Sequence, residues 1–392
     1  MNGPLRSTAR GRRRGGARVV AGVAVALLAI VVSGCSTQTA PKAADPLATW
    51  NAAVADRADE PANWVALGDS ITEGQGASAR STRWMDLALD ELRTQHPTDG
   101  ATGGAGYLPA QFAVYGPDST WGDWATASSG SSQFDATVPD LGYRSVAMQA
   151  GASRTYAFTG TGIDIWWARY PGSGAFTYSV DGAAPETVAT TGTASTGTTT
   201  TVDGLSSGEH TVTVTAVSPF SLLGFTIYDG DRGKGIHRYD SAHSGATIAT
   251  FTKNQEGFLT AMRRAAPDLI TITLGGNDAS KLTPEELGTQ YVAFLKALAA
   301  LPTKPSLLVI GEFDPASSMT DGMASPWSTY LAEIENAAAK GGAAFVGLAD
   351  ALPRADHSGT GIYSTDGIHP NDSGQRRIAK LVLATLAAHE DD

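Results

Sequence analysis

The chain has 392 residues, of which 42% are hydrophobic and 17% charged, and its formal net charge is −11. This length fits one large domain or two ordinary domains with hydrophobic cores of their own. The low charge and the 45 glycines are typical of a loop-rich extracellular protein. Because phosphate binding needs a basic surface, the acidic balance argues against a nucleic-acid partner and against a strongly acidic polymer as substrate.

The first 34 residues have the pattern of an export signal. They contain six arginines and no acidic residue, followed by an apolar run over 19–32 that is interrupted by a single glycine. The run is shorter than the roughly 20 residues that a membrane-spanning helix needs. Its length and its basic flank are those of a secretory signal peptide.

Cys35 is the only cysteine of the chain, and it follows the small residues Ser33 and Gly34. This arrangement resembles a bacterial lipobox, in which the cysteine becomes the lipidated first residue of the mature protein. The pattern predicts a lipoprotein signal peptide over 1–34 and an exported protein held by Cys35 on the extracellular face of the cell membrane. The alternative is an ordinary cleaved signal followed by an incidental cysteine.

Residues 35–60 read as a flexible tether, since the stretch after Cys35 is polar and rich in small residues. A short helix is possible over 48–58. Ordered structure is expected to begin near Trp64.

Two separated parts of the chain alternate short apolar strands with amphipathic helices. The predicted strands cover 64–68, 236–240, 269–274, 306–311 and 344–348, and the main predicted helices cover 83–93, 285–300, 327–340 and 373–389. Apolar strands separated by such helices indicate a parallel sheet with both of its faces covered.

Residues 142–228 show no helical pattern. They contain short β-rich runs at 154–158, 163–170, 176–180, 211–217 and 222–228, separated by turn signals such as Asp181-Gly182. This is the pattern of an antiparallel β-sandwich. The Thr- and Gly-rich stretch 190–201 is expected to form an exposed loop or an edge.

A candidate nucleophile follows the first strand. In Gly68-Asp69-Ser70, the serine would stand at the carboxyl edge of a parallel sheet, where open α/β folds keep their sites. The alternative is a plain turn, because glycine, aspartate and serine all favour turns.

A candidate base lies near the other end of the chain, in Asp366-Gly367-Ile368-His369. A nucleophilic serine needs an imidazole to take its proton, and that imidazole needs a carboxylate to hold its tautomer. An aspartate three residues before the histidine can make this contact across a turn. The alternative is a helix-entry loop in which Asn371 or Asp372 caps the helix and His369 is incidental.

Two further strand ends offer hydrogen-bond donors. Asn277, in Gly275-Gly276-Asn277-Asp278, carries a side-chain amide, and Gly245 has an unobstructed backbone N–H. Together with the N–H of Ser70 they would make an oxyanion hole. Taken singly, each segment is also compatible with a plain turn between strand and helix.

In their order along the chain, these four segments resemble the blocks of the SGNH (GDSL-like) hydrolase family. The resemblance implies a flavodoxin-like, three-layer α/β/α hydrolase in two parts, 61–141 and 229–392. It implies a serine esterase with Ser70, Asp366 and His369 as catalytic residues and with Ser70, Gly245 and Asn277 as the oxyanion hole. The inserted sandwich, 142–228, resembles galactose-binding-like jelly rolls, which implies either sugar binding or a structural prop.

The connection from His96 to Gln133 is unusually long for a compact domain, and such loops are often functional. It carries several aromatic residues, and our hypothesis is that Trp121 or Trp124 walls the substrate cleft. The alternative is that these side chains pack between the two domains.

Three functions fit the sequence. The first is hydrolysis of small acyl esters, most plausibly acetyl esters on carbohydrate. The second is O-acyl transfer by the same triad, and the third is carbohydrate binding by a non-catalytic surface lipoprotein. The intact site residues argue against the third, and nothing in the sequence separates the first two. No metal or phosphate-binding motif is present, so the expected cofactor is none.

Overall fold

A computed structural model describes residues 45–316, 320–355 and 361–390, so the predicted signal peptide 1–34 and Cys35 lie outside the described residues. The strands are β1 (Ala62–Gly68), β2 (Ala101–Pro109), β3 (Ala125–Ser129), β4 (Ser132–Asp135), β5 (Ser145–Met148), β6 (Ser153–Gly160), β7 (Gly162–Arg169), β8 (Ala175–Val180), β9 (Glu186–Ala189), β10 (Ser195–Val202), β11 (Gly208–Ala216), β12 (Phe220–Gly230), β13 (Ile236–Ala242), β14 (Leu269–Thr273), β15 (Ser306–Gly311) and β16 (Ala344–Gly347). The helices are α1 (Ala48–Asp56), α2 (Ser70–Glu73), α3 (Trp84–Gln95), α4 (Ile248–Thr252), α5 (Gln255–Ala265), α6 (Pro284–Ala299), α7 (Trp327–Gly341) and α8 (Asp372–Ala388).

Five parallel strands form the centre of the larger sheet, in the order β13-β1-β14-β15-β16. Numbered along the chain, this is the order 2-1-3-4-5 of flavodoxin-like folds. All five lie where the sequence predicts them, so the predicted fold class is confirmed. In such sheets the topological switch point lies between the first and third strands, here β1 and β14, and ligands bind beyond the carboxyl ends of the strands there.

The two faces of the central sheet bury different helices. Along β1, Val65 and Leu67 belong to one core cluster, whereas Trp64 and Ala66 belong to the other. This alternation follows from the two-residue period of a strand. The first cluster receives side chains of α5, α6 and α7, and the second receives those of α1, α3 and α8. The result is the predicted three-layer arrangement.

The antiparallel part is joined to the central sheet. β10, β7 and β12 continue the sheet through β2, which pairs antiparallel with β12 and parallel with β13. A second sheet, in the order β3-β6-β11-β8-β9, packs its apolar side chains against them. Among the residues that the structure describes, 45–390 with its two gaps, there are eleven strands in the larger sheet and five in the smaller one.

One expectation about this part differs from the structure. The segment 96–133 was expected to be a long connection, but it contains β2, β3 and part of β4, so strands of both sheets begin before residue 142. Their sequences are rich in glycine, alanine and serine, and pairing with neighbouring strands outweighs this weak strand propensity. The stretch 195–202 forms β10 at the edge of the larger sheet, in agreement with the expectation of an edge there.

The later half of the predicted tether also differs from the structure. Leu47 and Trp50 are fully buried, and the backbone N–H of Trp50 donates to Ser306 Oγ at 3.1 Å. The expectation that order begins near Trp64 is therefore wrong, because the apolar side chains of α1 pack into the core beside α8. None of the helices in the described part of the chain is long and apolar enough to cross a membrane.

Candidate active site

Ser70 stands at the carboxyl end of β1, as the sequence predicts. Asp69 precedes the short helix α2, and its side chain accepts a hydrogen bond from the backbone N–H of Ile71 at 2.9 Å. Gly68 is required before it, because a Cβ there would lie 2.4 Å from Thr72 Oγ1. Gly74 ends the helix in the left-handed region, at φ 88°. This tight turn leaves the Ser70 side chain only 7% exposed.

The loop before α8 carries His369 and Asp366. It is closed by a hydrogen bond from the Ser364 N–H to the His369 carbonyl oxygen at 2.8 Å. Asp366 Oδ1 accepts from the backbone N–H groups of Ile368 and His369 at 2.8 and 2.9 Å. Asp366 Oδ2 lies 2.6 Å from His369 Nδ1. Burial raises the pKa of Asp366, but the hydrogen bonds from the His369 ring and from this backbone outweigh it and hold the pKa below its ordinary value.

The structure brings these two segments together. His369 Nε2 lies 2.9 Å from Ser70 Oγ. Because a carboxylate only accepts hydrogen bonds, Nδ1 carries the ring hydrogen toward Asp366, and Nε2 is left to accept from the Ser70 hydroxyl. A serine, an imidazole and a carboxylate therefore form one continuous hydrogen-bonded chain.

Gly245 and Asn277 reach the same place from β13 and β14. Both line a cavity of about 150 Å³ together with Ser70 and His369. Gly245 adopts φ 80°, a conformation that favours glycine. The Asn277 amide donates to Asp69 Oδ2 and to the Ala246 carbonyl oxygen, each at 3.1 Å. Asn277 thus brings an amide donor to the cavity, held by Asp69 and Ala246.

Glu73 holds the loop that carries Gly245 in place through buried hydrogen bonds. It is fully buried, and its carboxylate accepts from the backbone N–H of Ser244 at 2.5 Å and from that of Ala113 at 2.6 Å. It also pairs with the Arg144 guanidinium at 2.9 Å. Glu73 therefore ties the loop of Gly245 to the antiparallel part of the molecule. No sequence pattern predicts this role for Glu73.

Glu312 is a second residue that the sequence analysis missed. It follows β15 directly, lines the cavity and is 9% exposed. Its carboxylate accepts from the backbone N–H of Gly276 at 2.9 Å. The signal that could have found it is its position at the carboxyl end of a predicted parallel strand, the same edge that carries Ser70 and Asn277.

The remaining cavity wall is mostly apolar and has one exposed aromatic side chain at its mouth. Apolar side chains come from Ile71, Phe313, Pro315, Met323, Trp327 and Ile368. Tyr115 also lines the cavity and is 64% exposed. Among the residues described, Tyr115 and Val217 are the exposed large hydrophobic side chains. The cavity thus combines a small apolar chamber with an aromatic ring that faces solvent.

Trp121 and Trp124 do not line this cavity. The Trp121 indole N–H donates to the Ala77 carbonyl oxygen at 3.0 Å, and the ring packs edge-on against Phe112. Trp124 packs against Tyr156 and lies under the guanidinium of Arg80. Both tryptophans line a separate and larger groove. Their predicted role in substrate binding stays a prediction, and the structure does not bring them together with Ser70.

No group of three or more histidine, cysteine, aspartate or glutamate side chains is placed to hold a metal ion within 45–316, 320–355 and 361–390.

Residues 230–377 match the model of the GDSL-like Lipase/Acylhydrolase family. A comparison with curated proteins gave no match. Among solved structures, a peptidoglycan O-acetylesterase is similar over 89% of this chain and 97% of its own, with 18% identity and a TM-score of 0.64. A family two carbohydrate esterase from Clostridium thermocellum, solved with cellohexaose, is similar over 66% of this chain and 98% of its own, with 15% identity and a TM-score of 0.33.

The match over 230–377 includes Gly245, Asn277, Asp366 and His369. The likeness to the O-acetylesterase extends over nearly the whole chain and shows that the two proteins share a fold. Residues 230–377 are therefore similar to a GDSL-like lipase/acylhydrolase domain, and the chain shares the fold of a solved O-acetylesterase.

Proposed function

We propose that the protein is a serine esterase that removes small acyl groups, above all acetyl groups, from carbohydrate. The observation that carries the proposal is the hydrogen-bonded chain from Ser70 Oγ through the His369 ring to the Asp366 carboxylate. This is the arrangement that turns a weakly nucleophilic hydroxyl into an attacking group.

The reaction runs in two halves. Ser70 Oγ attacks the ester carbonyl carbon while His369 Nε2 takes the hydroxyl proton. The bond from the carbonyl carbon to the alcohol oxygen then breaks, and the His369 imidazolium returns the proton to that oxygen. Water then attacks the acyl carbon while His369 Nε2 takes its proton. The bond from that carbon to Ser70 Oγ breaks, the imidazolium returns the proton to Oγ, and the acid is released. Asp366 holds the ring and stabilises the imidazolium in both halves.

Negative charge develops on the carbonyl oxygen in each half. The donors we assign to it are the backbone N–H groups of Ser70 and Gly245 and the Asn277 amide, and all three residues line the cavity. At rest the amide donates to Asp69 and to Ala246. The assignment therefore requires one amide hydrogen to turn from these acceptors toward the oxyanion.

Cavity size supports a short acyl group. A chamber of about 150 Å³ with apolar walls accommodates a methyl group beside the reacting carbonyl, whereas a long fatty chain needs a much larger volume. The exposed Tyr115 side chain at the mouth supports a sugar as the alcohol part of the ester. Its ring offers an apolar face on which a sugar ring can pack, and its hydroxyl can form a hydrogen bond. The similar O-acetylesterase acts on peptidoglycan, according to its name, which adds support for a carbohydrate ester.

A panel of p-nitrophenyl esters of increasing chain length tests the proposal. We expect kcat/KM to be highest for acetate and to fall steeply beyond butyrate. Preferred turnover of long chains would point to a lipase, and absence of turnover on all esters would point to a binding protein. Repeating the acetate reaction with a large excess of sugar acceptor measures transfer, and we expect free acetate to remain the main product.

We also propose that the mature protein is exported and held by a lipid on Cys35. The support is the sequence pattern of 1–35 alone, with its basic start, its short apolar run and the small residues before the single cysteine. An enzyme placed there would meet acetylated carbohydrate outside the cell.

A further inference from the structure

Two buried carboxyl groups meet at the floor of the active-site cavity. Asp69 is 1% exposed and Glu312 is 9% exposed, and both side chains line the cavity beside the turn that follows β14. A proton shared between the two carboxyl groups removes the repulsion that two adjacent carboxylates exert on each other. The esterase reaction as proposed does not use either group.

The surroundings favour keeping that proton. Asp278 and Tyr291 face the pair among the residues described, and any negative charge on them disfavours further ionisation. Burial, followed by the nearby Glu312, raises the pKa of Asp69 well above its ordinary value. Burial likewise raises the pKa of Glu312 to about 7, against the opposing effect of the Gly276 N–H. The pair therefore titrates as a unit.

The same pair contacts both residues of the turn that follows β14. Glu312 Oε1 accepts from the Gly276 N–H at 2.9 Å, and Asp69 Oδ2 accepts from Asn277 Nδ2 at 3.1 Å. The fit at Gly276 is close, because a Cβ there would lie 2.3 Å from Glu312 Oε2. The position of the turn and the plane of the Asn277 amide thus depend on where the two carboxyl groups sit.

We propose that Glu312 is a positioning residue, which shares one proton with Asp69 and thereby holds the Gly276–Asn277 turn in the geometry needed for oxyanion stabilisation. This inference rests on the proposed esterase function. When the pair loses its proton, two adjacent carboxylates repel each other and place a second negative charge beside the developing oxyanion. Both effects lower kcat, whereas ground-state binding of the substrate is little affected.

Two substitutions separate this role from simple packing. In Glu312→Gln, the amide oxygen can still accept from the Gly276 N–H, and the amide nitrogen can donate to Asp69, but the group no longer titrates. In Glu312→Ala both contacts are lost. Glu335→Gln, at an exposed position of α7, is the matched control. Steady-state kinetics on p-nitrophenyl acetate are measured for all of them across the neutral and alkaline range.

In the wild type we expect kcat to fall on the alkaline side as the pair loses its shared proton, because burial raises the pKa of both carboxyl groups. Glu312→Gln should restore most of the kcat that Glu312→Ala loses, and it should move the alkaline fall upward by more than about one pH unit. Glu312→Ala should lower kcat about tenfold or more with little change in KM. An unchanged pH profile in Glu312→Gln, or an unchanged kcat in Glu312→Ala, would overturn the inference.

An infrared measurement, made without substrate, tests the shared proton independently of the proposed esterase activity. The infrared difference between wild type and Glu312→Gln at pH 6 should contain the carbonyl band of a protonated carboxylic acid, and this band should vanish at pH 9. Full esterase activity of a Ser70→Ala protein would refute the proposed function, and the band would still report on the shared proton. Absence of the band at pH 6 would refute the shared proton, whatever the fate of the esterase proposal.

Discussion

His369 Nε2 lies 2.9 Å from Ser70 Oγ, although 299 positions separate the two residues in the chain. The contact is possible because Ser70 follows the carboxyl end of β1, and because the loop before α8 brings His369 to the same edge of the sheet. Gly245 and Asn277 line the same small cavity as these two residues.

His369→Ala and Asp366→Ala should both lower kcat, but to different extents. His369 transfers the proton in each half of the reaction, so its loss should cost about 10⁶-fold, whereas loss of the orienting carboxylate should cost about 10⁴-fold. Steady-state kinetics on p-nitrophenyl acetate measure the difference, with circular dichroism as the control for folding. Equal activity of wild type and Asp366→Ala would remove Asp366 from the reaction.

Asn277→Ala should lower kcat by about 10²–10³-fold with little change in KM, as expected for the loss of one oxyanion donor. Asn277→Asp is an informative companion, since it keeps the size but replaces the donor by an acceptor, and it should be at least as severe. If KM rises while kcat holds, Asn277 binds the substrate in its ground state and our assignment fails.

Tyr115→Ala should raise KM for an acetylated oligosaccharide much more than for p-nitrophenyl acetate, because the ring lies at the mouth of the cavity. Tyr115→Phe, which keeps the apolar face, should remain close to wild type. Val217→Ala is the matched control, since Val217 is also exposed but does not line the cavity. Equal losses on both substrates would show that Tyr115 does not distinguish a sugar.

Trp121 and Trp124, unlike Tyr115, do not line the cavity. Trp121→Ala and Trp124→Ala are predicted from the sequence to weaken turnover of a polymer more than that of p-nitrophenyl acetate. Their packing against Phe112 and Tyr156 adds an expected drop in melting temperature. Equal losses on both substrates that track the melting temperature would make these residues part of the core.

Cys35→Ser should release the protein from the membrane or block its maturation, because the lipobox pattern offers no other attachment residue. Fractionation of cells that express the two forms measures this. Unchanged membrane retention of Cys35→Ser would show that the apolar run over 19–32 is itself the anchor.

The parts of the fold that the sequence predicts well are those with a local signal. The five parallel strands and the helices between them have apolar runs of the right period, and Ser70, Gly245, Asn277 and His369 each follow or flank such an element. A strand such as β2 has no such signal. Its Ala-Thr-Gly-Gly-Ala-Gly start becomes a strand only because β12 and β13 flank it.

The roles of residues that depend on packing between distant segments also could not be predicted from the sequence. In the sequence, Glu312 and Glu73 resemble many other acidic residues. The structure shows that both are buried and accept hydrogen bonds from loops that line the cavity. Tyr115 and Trp121 lie in one aromatic-rich connection, and only the tertiary structure shows which of them reaches the cavity. Exposure and direction of a side chain in such a segment follow from contacts far away in the chain.

The central claim is that Ser70 is the nucleophile of an esterase, and acetate release by Ser70→Ala tests it most directly. The protein lacking residues 1–34 is compared with its Ser70→Ala form on p-nitrophenyl acetate and on an acetylated carbohydrate. We predict a loss of about 10⁶-fold in kcat on p-nitrophenyl acetate, release of acetate from the carbohydrate too slow to detect, and an unchanged melting curve. Turnover at the wild-type rate by the Ser70→Ala protein would contradict the account.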